Sequence, residues 1–298
     1  MYNSNNAFII KVFIIVLFLF SLTSCLRDAT CDYLYQLNVN VNGAKHTVKQ
    51  VSLYVFDSND FLYEVIDQNI DTSSTTASFK LEHLPHGKYT YIAWGNLFEN
   101  QLKPTEDIGL LRLEDAAIFL KKRDSLVHLS PDELFFGSMK STKRMYEKKL
   151  EEMYISRYIS GVTIKVYNPL GYFSKSDTSF SIQLRGTVST IPFDNDWMKS
   201  GLISAMEKDS IGIYNPAIEW KENNNLMQTN RFYTLPSDPN QPVYLDVYYG
   251  EVLLQSFRYN NYLRMNKVTD ITLNLWNEGV DQWLNYNDWS NVDQEEDL

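Results

Sequence analysis

The sequence has little positive charge and none of the short motifs that identify common enzyme families. Its 27 Lys and Arg residues face 37 Asp and Glu residues, which gives a formal net charge of -10. Proteins that bind nucleic acid neutralise many phosphates with cations, so this balance disfavours nucleic-acid partners. The chain also lacks a Gly-x-Ser-x-Gly elbow, a P-loop, a Gly-x-Gly-x-x-Gly turn and a His-Glu-x-x-His pair. We therefore predict a non-enzymatic protein with no cofactor and no metal.

Long hydrophobic runs are also missing, apart from one short run near the N-terminus. Residues 12–22 form this run after Lys11. It is about half the ~20 residues that a spanning helix needs, and it matches the roughly 7–15 residues of a signal peptide. It ends in Leu22-Thr23-Ser24-Cys25, a sequence typical of secreted lipoproteins. We predict a signal peptide at residues 1–24 and lipidation of Cys25; an uncleaved N-terminal anchor helix is the alternative.

Cysteine is nearly absent, with only Cys25 and Cys31 in 298 residues. If Cys25 carries lipid, Cys31 has no partner for an intramolecular disulfide, which excludes a disulfide framework. A nucleophilic thiol needs a neighbouring base and a shaped site. The short lipidated leader, residues 25–32, offers neither, so we predict that Cys31 has no chemical role.

The sequence is rich in segments where apolar and polar residues alternate. Aromatic residues make up 14% of the chain and include 20 tyrosines, a composition that favours strands. An early segment places Leu37, Val39 and Val41 on one face, and Asn42-Gly43 then forms a hairpin dipeptide. Many such segments follow, separated by polar turns and without long helical patterns. This pattern predicts an all-β fold of antiparallel β-sandwiches.

The length of the chain is sufficient for two domains after the signal peptide. Alternation is clear early and late in the sequence, whereas residues 140–152 are heavily charged, with apolar positions that also fit helical spacing. Residues 106–124 fit either a strand or a short helix. We place the boundary next to the charged stretch and predict an N-terminal β-sandwich domain at 33–155 and a C-terminal one at 156–298.

Five features occur in order along the chain: the lipoprotein cysteine Cys25, VSLYVFD at 51–57, GKYTYIAWGN at 87–96, ELFFG at 133–137 and SRYISGVTIKV at 156–166. In this order they resemble the FimB-type fimbrial anchor family of Bacteroidota lipoproteins. The resemblance implies two tandem transthyretin-like β-sandwich domains. It also implies a lipid-anchored, surface-exposed protein of the outer membrane that holds the base of a fimbria and has a further role in fimbrial length.

The resemblance further implies that the partners are fimbrial shaft subunits, joined by β-strand complementation. An open sheet edge offers unpaired N–H and C=O groups, and an added strand satisfies them while its side chains fill alternate pockets. No obvious long, removable segment lies between Cys25 and the first predicted strand, which favours a base subunit over a shaft subunit. Residues 280–286 are a candidate terminal strand whose irregular apolar pattern does not identify it as a donor.

Clusters of acidic residues and histidines have plainer interpretations than metal binding. The run Asp57-Ser58-Asn59-Asp60 lacks the glycine and the final glutamate of an EF-hand loop, so a β-turn is favoured over a Ca²⁺ site. The same holds for Asp194-Asn195-Asp196. His83 and His86 flank Pro85, which breaks any helix that would align them, so a metal pair is disfavoured.

The six tryptophans allow a second hypothesis. Trp94 lies in a strongly alternating strand and is predicted to be a core residue. Trp283 and Trp289 lie in an Asn- and Asp-rich context and are expected to be more exposed. Exposed aromatic residues would suit the main alternative function, a glycan-binding surface lipoprotein of a polysaccharide-uptake system. A secreted β-rich hydrolase is the third hypothesis.

Overall fold

The computed structural model describes residues 35–41, 47–71, 74–98, 100–145, 147–167, 180–194, 211–221, 226–259, 261–275 and 283–288. The regular secondary structure within these ranges consists of β-strands, joined by turns and bends. Over the same ranges, no helix has the length and apolar character needed to cross a bilayer. The prediction of an all-β fold is confirmed.

The strands fall into two groups along the chain. The first group comprises β1 (Tyr35–Val41), β2 (Gln50–Phe56), β3 (Leu62–Asn69), β4 (Thr76–Lys80), β5 (Gly87–Gly95), β6 (Gln101–Leu102), β7 (Ala117–Leu120), β8 (Phe135–Lys143) and β9 (Lys149–Arg157). The second group comprises β10 (Ser160–Tyr167), β11 (Phe180–Val188), β12 (Thr190–Pro192), β13 (Ile211–Tyr214), β14 (Ile218–Lys221), β15 (Leu226–Thr229), β16 (Phe232–Thr234), β17 (Val243–Tyr249), β18 (Val252–Tyr259), β19 (Lys267–Asn274) and β20 (Trp283–Asp288).

The first group forms a β-sandwich whose two sheets are joined at one corner. One sheet has the strand order β3-β2-β5-β8 and the other has the order β9-β1-β4. At the corner, Phe135 and Phe136 of β8 pair with Arg157 and Ser156 of β9, and the two strands then separate. The sheets bury a core between them that includes the predicted alternating residues Leu37, Val39, Val51, Leu53 and Val55.

The two central strands of the β3-β2-β5-β8 sheet, β2 and β5, are buried on both faces. Tyr54 on β2 and Trp94 on β5 point away from the first core and belong to a second hydrophobic core. Trp94 is fully buried, and its ring centroid lies 5.8 Å from that of Phe193, in the second half of the chain. Alternate residues of β2 and β5 therefore serve two different cores, which explains why both strands are nearly continuous apolar runs. The prediction that Trp94 is a core residue is confirmed.

The second group forms another β-sandwich. Its larger sheet has the order β14-β15-β10-β19-β20, with β16 also paired to β10, and its smaller sheet has the order β13-β11-β17-β18. Most of the alternating residues predicted for this half are buried: Val162, Ile164, Val166, Phe180, Ile182, Leu184, Val243, Leu245, Val247, Ile271, Leu273 and Leu275. Tyr249, which the sequence predicts on the same face as Val243, Leu245 and Val247, lies at the end of β17 and is 39% exposed. The candidate terminal strand at residues 280–286 overlaps β20, which pairs antiparallel with β19.

A small three-stranded sheet, β12-β7-β6, crosses between the two halves of the chain. Beside it, the Leu120 N–H donates to the Ser189 carbonyl at 2.9 Å. One continuous hydrophobic core includes residues of both halves. The division into domains 33–155 and 156–298 remains a proposal, supported by the separation of the main sheets on either side of the β9–β10 connection.

The sandwiches differ in one respect from the antiparallel arrangement that the sequence predicts. β1 runs parallel to β9 along its whole length, from Tyr35↔Lys149 to Val41↔Ile155. β10 runs parallel to β19 in the same way. Side chains alternate with a period of two in parallel and antiparallel strands alike, so the sequence pattern does not fix the direction of pairing.

The structure also gives the secondary structure of two segments that the sequence left undecided between strand and helix. Residues 106–124 contain one short strand, β7, and are otherwise turns and loops. Residues 140–152 contain the end of β8, which pairs with β5, and the start of β9, which pairs with β1, so their charged residues lie on two strand ends and the connection between them rather than on a helix.

Candidate functional site

The predicted lipidation site, Cys25, lies outside the described residues, as do the signal peptide 1–24 and Cys31. The first described residue, Tyr35, follows Cys25 by ten residues. β1 starts at the end of the first sandwich that is far from the second half of the chain. Tyr35 pairs there with the first residue of β9, whereas Val41 pairs with Ile155, close to the connection into β10. We refer to the end marked by Tyr35 as the N-terminal pole.

Tyr35 fixes the start of β1 through a polar cluster between the two sheets. Its hydroxyl donates to Glu151 Oε2 at 3.2 Å and accepts from the Tyr91 hydroxyl at 3.3 Å. Ser141 and Lys149 contact the other carboxylate oxygen of Glu151. Burial raises the pKa of both tyrosines, so both remain protonated and able to donate. The cluster joins β1, β5, β8 and β9 at the N-terminal pole.

Lys143, at the end of β8, closes the same region. Its Nζ donates to the carbonyl oxygens of Leu81, Glu82 and Leu84 at 2.9, 2.6 and 2.5 Å. It also lies 5.3 Å from the ring centroid of Tyr35. Burial lowers the pKa of Lys143, and the carbonyl dipoles and the aromatic face take the place of water around the cation. Sequence reasoning missed this residue because a lysine in a charged stretch is usually solvated.

The acidic run at 57–60 forms a turn. Asp57 Oδ1 accepts from the N–H groups of Asn59 at 2.8 Å and Phe61 at 3.0 Å, and Asp60 has a φ of 61°. The carboxylate of Asp57 therefore stabilises the β2–β3 turn, and the predicted β-turn is confirmed. Across the described ranges, no group of three or more His, Cys, Asp or Glu residues could hold a metal ion. The Asp194-Asn195-Asp196 run extends beyond the described residues.

His83 and His128 have separate structural roles. His83 Nε2 lies 2.6 Å from a carboxylate oxygen of Glu64. His128 is buried. Its ring Nδ1 accepts from the Ile213 N–H at 3.2 Å, and its backbone N–H donates to the Ile213 carbonyl at 2.7 Å. Burial and the charge of Lys122 lower the pKa of His128 and so favour the neutral ring, which the hydrogen bond to Nδ1 requires. His128 thus links the loop after β7 to β13, a contact that a single histidine in a loop sequence does not reveal.

The described surface includes one open cavity on the first sandwich and another between the first sandwich and residues 265–266 of the second half. The first has a volume of about 320 Å³ and is lined by acidic and basic residues together: Asp57, Asp60, Lys88 and Lys140. The second has a volume of about 430 Å³, and Tyr154 and Met265 lie on its wall near the β9–β10 connection. Tyr154 is 54% exposed, whereas the other aromatic residues that line the two cavities are buried. One exposed ring is a poor match for a glycan platform, which needs several coplanar rings.

Comparison with known proteins identifies the family. The chain matches the model of the family described as fimbrillin-A associated anchor proteins Mfa1 and Mfa2 over residues 22–297. No curated protein sequence matches it significantly.

Several solved structures share the fold. The fimbrial anchor protein Mfa2 from Porphyromonas gingivalis is 16% identical, with a TM-score of 0.61 over 85% of this chain and 97% of that chain. A proposed polysaccharide-binding protein from Bacteroides thetaiotaomicron is 15% identical, with a TM-score of 0.62 over 86% and 99%. A proposed adhesin from Bacteroides ovatus is 13% identical, with a TM-score of 0.61 over 86% and 96%.

At these identities the solved structures show a common fold, whereas the family model shows membership. Its match extends over nearly the whole sequence and includes all five features on which the resemblance was based. The predicted resemblance to fimbrial anchors is confirmed, and the chain belongs to the family of fimbrillin-A associated anchor proteins.

Proposed function

We propose that this protein is the lipid-anchored base subunit of a fimbria in the outer membrane. Acyl chains on Cys25 hold it in the bilayer, and shaft subunits join it by β-strand complementation. The observation that carries the proposal is the family match over residues 22–297, which includes Cys25 and both sandwiches. The family is one of fimbrial anchor proteins rather than of enzymes, which supports a role based on binding.

The position of β1 supports anchoring at the N-terminal pole. The ten residues from Cys25 to Tyr35 reach at most about 33–36 Å when fully extended, so the first sandwich stays close to the bilayer. Each buried CH₂ group of an acyl chain contributes about 0.8 kcal/mol, and two chains give a stable anchor. The polar cluster around Tyr35 then fixes the point at which the tether enters the fold.

The second part of the proposal is the joint with the shaft. Each main-chain hydrogen bond of an added strand contributes about 1 kcal/mol net, and each buried Val, Leu or Ile side chain contributes roughly 1.5–3 kcal/mol. Four or five such residues outweigh the cost of ordering one strand, so the joint is long-lived. A lipidated subunit at this joint occupies one end of the fimbria, and we propose that it also limits fimbrial length.

The two cysteines allow a matched test of the anchor. In cells that carry fimbriae, Cys25→Ser removes the acylation site, whereas Cys31→Ser is the control. Metabolic labelling with a fatty-acid analogue should mark the wild type and Cys31→Ser but not Cys25→Ser. Electron microscopy should show filaments shed into the medium only for Cys25→Ser and for a deletion of the protein. Firmly attached filaments in the deletion strain would refute the proposed function.

The alternative function, glycan binding, has weaker support from the described residues. Among the described residues, the exposed aromatic side chains are Phe98 in a loop and four on separate strands: Tyr63 on β3, Phe119 on β7, Tyr154 on β9 and Tyr249 on β17. A stacking platform for sugars would place such rings together on one face. Calorimetry of the purified protein against a panel of polysaccharides tests this alternative, because saturable binding would favour it.

A further inference from the structure

The segment that joins β8 to β9 is basic, although the chain as a whole is acidic. Residues 140–149 carry five Lys and Arg residues and one Glu, a local net charge of +4, whereas the net charge of the whole chain is -10. Both ends of the segment lie at the N-terminal pole, because Lys143 contacts the Tyr35 ring and Lys149 pairs with Tyr35. Positive charge is therefore concentrated at the end of the fold where the proposed tether enters.

Two of these cations point into solvent. Lys143 is buried against carbonyl oxygens and serves to close the sandwich, whereas Arg144 and Lys148 are exposed. The one acidic residue of the segment, Glu147, closes the turn, because its Oε2 accepts from the Arg144 backbone N–H at 3.0 Å. Arg144 and Lys148 are thus available to an anionic surface outside the protein.

Two large apolar side chains are exposed beside these cations. Met145 is 61% exposed, and Leu150, the second residue of β9, is 56% exposed on the outer face of its sheet. Single exposed apolar residues are common on protein surfaces. Here they accompany Arg144 and Lys148 at one end of the fold, and such a combination of basic and apolar side chains is typical of segments that lie in a membrane interface. We call Arg144, Met145, Lys148 and Leu150 the basic tip.

The parallel pairing of β1 and β9 places the basic tip next to the tether. The two strands start side by side at Tyr35↔Lys149, so the leader before Tyr35 and the segment before Lys149 enter the fold at neighbouring points. The ten residues from Cys25 to Tyr35 reach at most about 33–36 Å, and any less extended path brings this pole closer to the lipid. With Cys25 acylated as proposed, a bilayer is the surface that the basic tip meets.

We propose that the basic tip rests on the membrane surface, with Met145 and Leu150 among the lipid headgroups and with Arg144 and Lys148 on the phosphates of anionic lipids. This inference rests on the proposed base function and assigns the orientation of the first sandwich on the bilayer. The aliphatic stems of the two cations can lie along apolar surface while their charges reach the headgroups. β9 then runs away from the membrane, and the second half of the chain faces outward.

Photo-crosslinking to lipid in vesicles tests the contact. The mature Cys31→Ser protein is coupled through Cys25 to a maleimide-headgroup lipid, so that the tether does not depend on acylation in cells. p-Benzoylphenylalanine replaces Met145 or Leu150, and Val252 in the second sandwich, 63% exposed, is the matched control position. In vesicles of phosphatidylcholine and phosphatidylglycerol, the yield of lipid adducts at Met145 and Leu150 should exceed that at Val252 by about tenfold or more. Equal yields at the three positions, or adducts to a second copy of the chain instead of lipid, overturn the proposal.

Charge substitutions separate a specific contact from mere proximity to the tether. Arg144→Glu combined with Lys148→Glu should lower the yield of lipid adducts at Met145 by about tenfold or more, because each cation adds to the attraction of an anionic surface. Lys122→Glu combined with Arg123→Glu, in the loop after β7, makes the same change in total charge and should leave the yield unchanged. Vesicles of phosphatidylcholine alone give a second measurement on the unsubstituted tip, where the yield should also fall. An unchanged yield in either case overturns the proposal.

Failure of this contact is distinguishable from failure of the base function. The vesicle experiments supply the tether chemically, so they report on the basic tip alone. Fatty-acid labelling at Cys25 and the retention of filaments in a deletion strain report on the base function. Labelled Cys25 without lipid adducts at the basic tip overturns the orientation, whereas firmly attached filaments in the deletion strain overturn the base function.

Discussion

The corner between β8 and β9 predicts a large difference between two superficially equivalent Gly→Ala substitutions. Gly137 lies in β8 where that strand separates from β9, and a Cβ atom there would overlap the Tyr154 carbonyl oxygen and come within 2.9 Å of Ile155 Cγ2. Gly87 lies in the neighbouring strand β5, where the nearest atoms to an added Cβ are in the Tyr89 ring, at 3.7 Å or more. Neither glycine has a positive φ, so contact rather than backbone conformation distinguishes the two sites.

The expected change in stability for each substitution follows from these contacts. At Gly137 the obstacle is backbone, which cannot rotate away, so the corner must open, and overpacking of this kind costs about 1–3 kcal/mol. At Gly87 alanine fits. Because alanine leaves the unfolded chain fewer conformations than glycine does, the substitution should leave stability unchanged or raise it by about 0.4–1 kcal/mol. For a protein of this size, 1 kcal/mol corresponds to a shift in Tm of about 2–4 °C.

Thermal and urea unfolding of the mature protein measure both variants against the wild type. Gly137→Ala should lower the transition midpoint, and Gly87→Ala should leave it unchanged or raise it. Equal effects of the two substitutions would refute the reasoning, because the close approach of β8 and β9 would then not be what requires glycine at position 137.

Two further predictions concern the connection between the halves and the strand at the N-terminal pole. Because the pKa of His128 is lowered in the fold, its contribution to stability is complete above its ordinary pKa of about 6.5 and is lost as the pH falls below that value. The urea midpoint of the wild type should therefore drop between about pH 6.5 and 5 more than that of His128→Gln. Parallel pH profiles of the two proteins would contradict this. Asn38→Pro removes a ladder N–H from β1, which pairs on both sides. Single-molecule pulling between residue 25 and a site in the second sandwich should therefore show a lower rupture force than for Asn38→Ala, and equal forces would show that β1 carries no load.

The sequence predicted the strands of this fold better than their partners. Val51, Leu53 and Val55 were correctly placed on one buried face, but the alternation gave no reason to bury Tyr54 on the other face as well. That second core needs Phe193, more than 130 residues later in the chain, and such contacts leave no periodic signal in a single strand.

The polar residues that organise the fold were harder to predict. Tyr35, Lys143 and Glu151 come from segments whose local composition suggests solvated surface, and only the divergence of β8 and β9 brings them together. The turn at Asp57 was predictable, because its hydrogen bonds are made within four residues of the carboxylate. Local chemistry is visible in sequence, whereas chemistry assembled across sheets is not.

The parallel pairing of β1 and β9 was not predictable, yet it is the feature that best suits a base subunit. A pull from the proposed lipid anchor would enter at Tyr35, and the load would pass toward the second half through the C-terminal end of β9 at Arg157. In parallel strands these two points lie at opposite ends of the shared ladder, so the paired residues from Tyr35↔Lys149 to Val41↔Ile155 are loaded together in shear. An antiparallel pair with the same chain exits would place both points at one end, and its hydrogen bonds, worth about 1 kcal/mol each, could then open one at a time. The direction of one strand pair therefore determines whether the ladder resists a pull as a unit, which is what the proposed anchor must do.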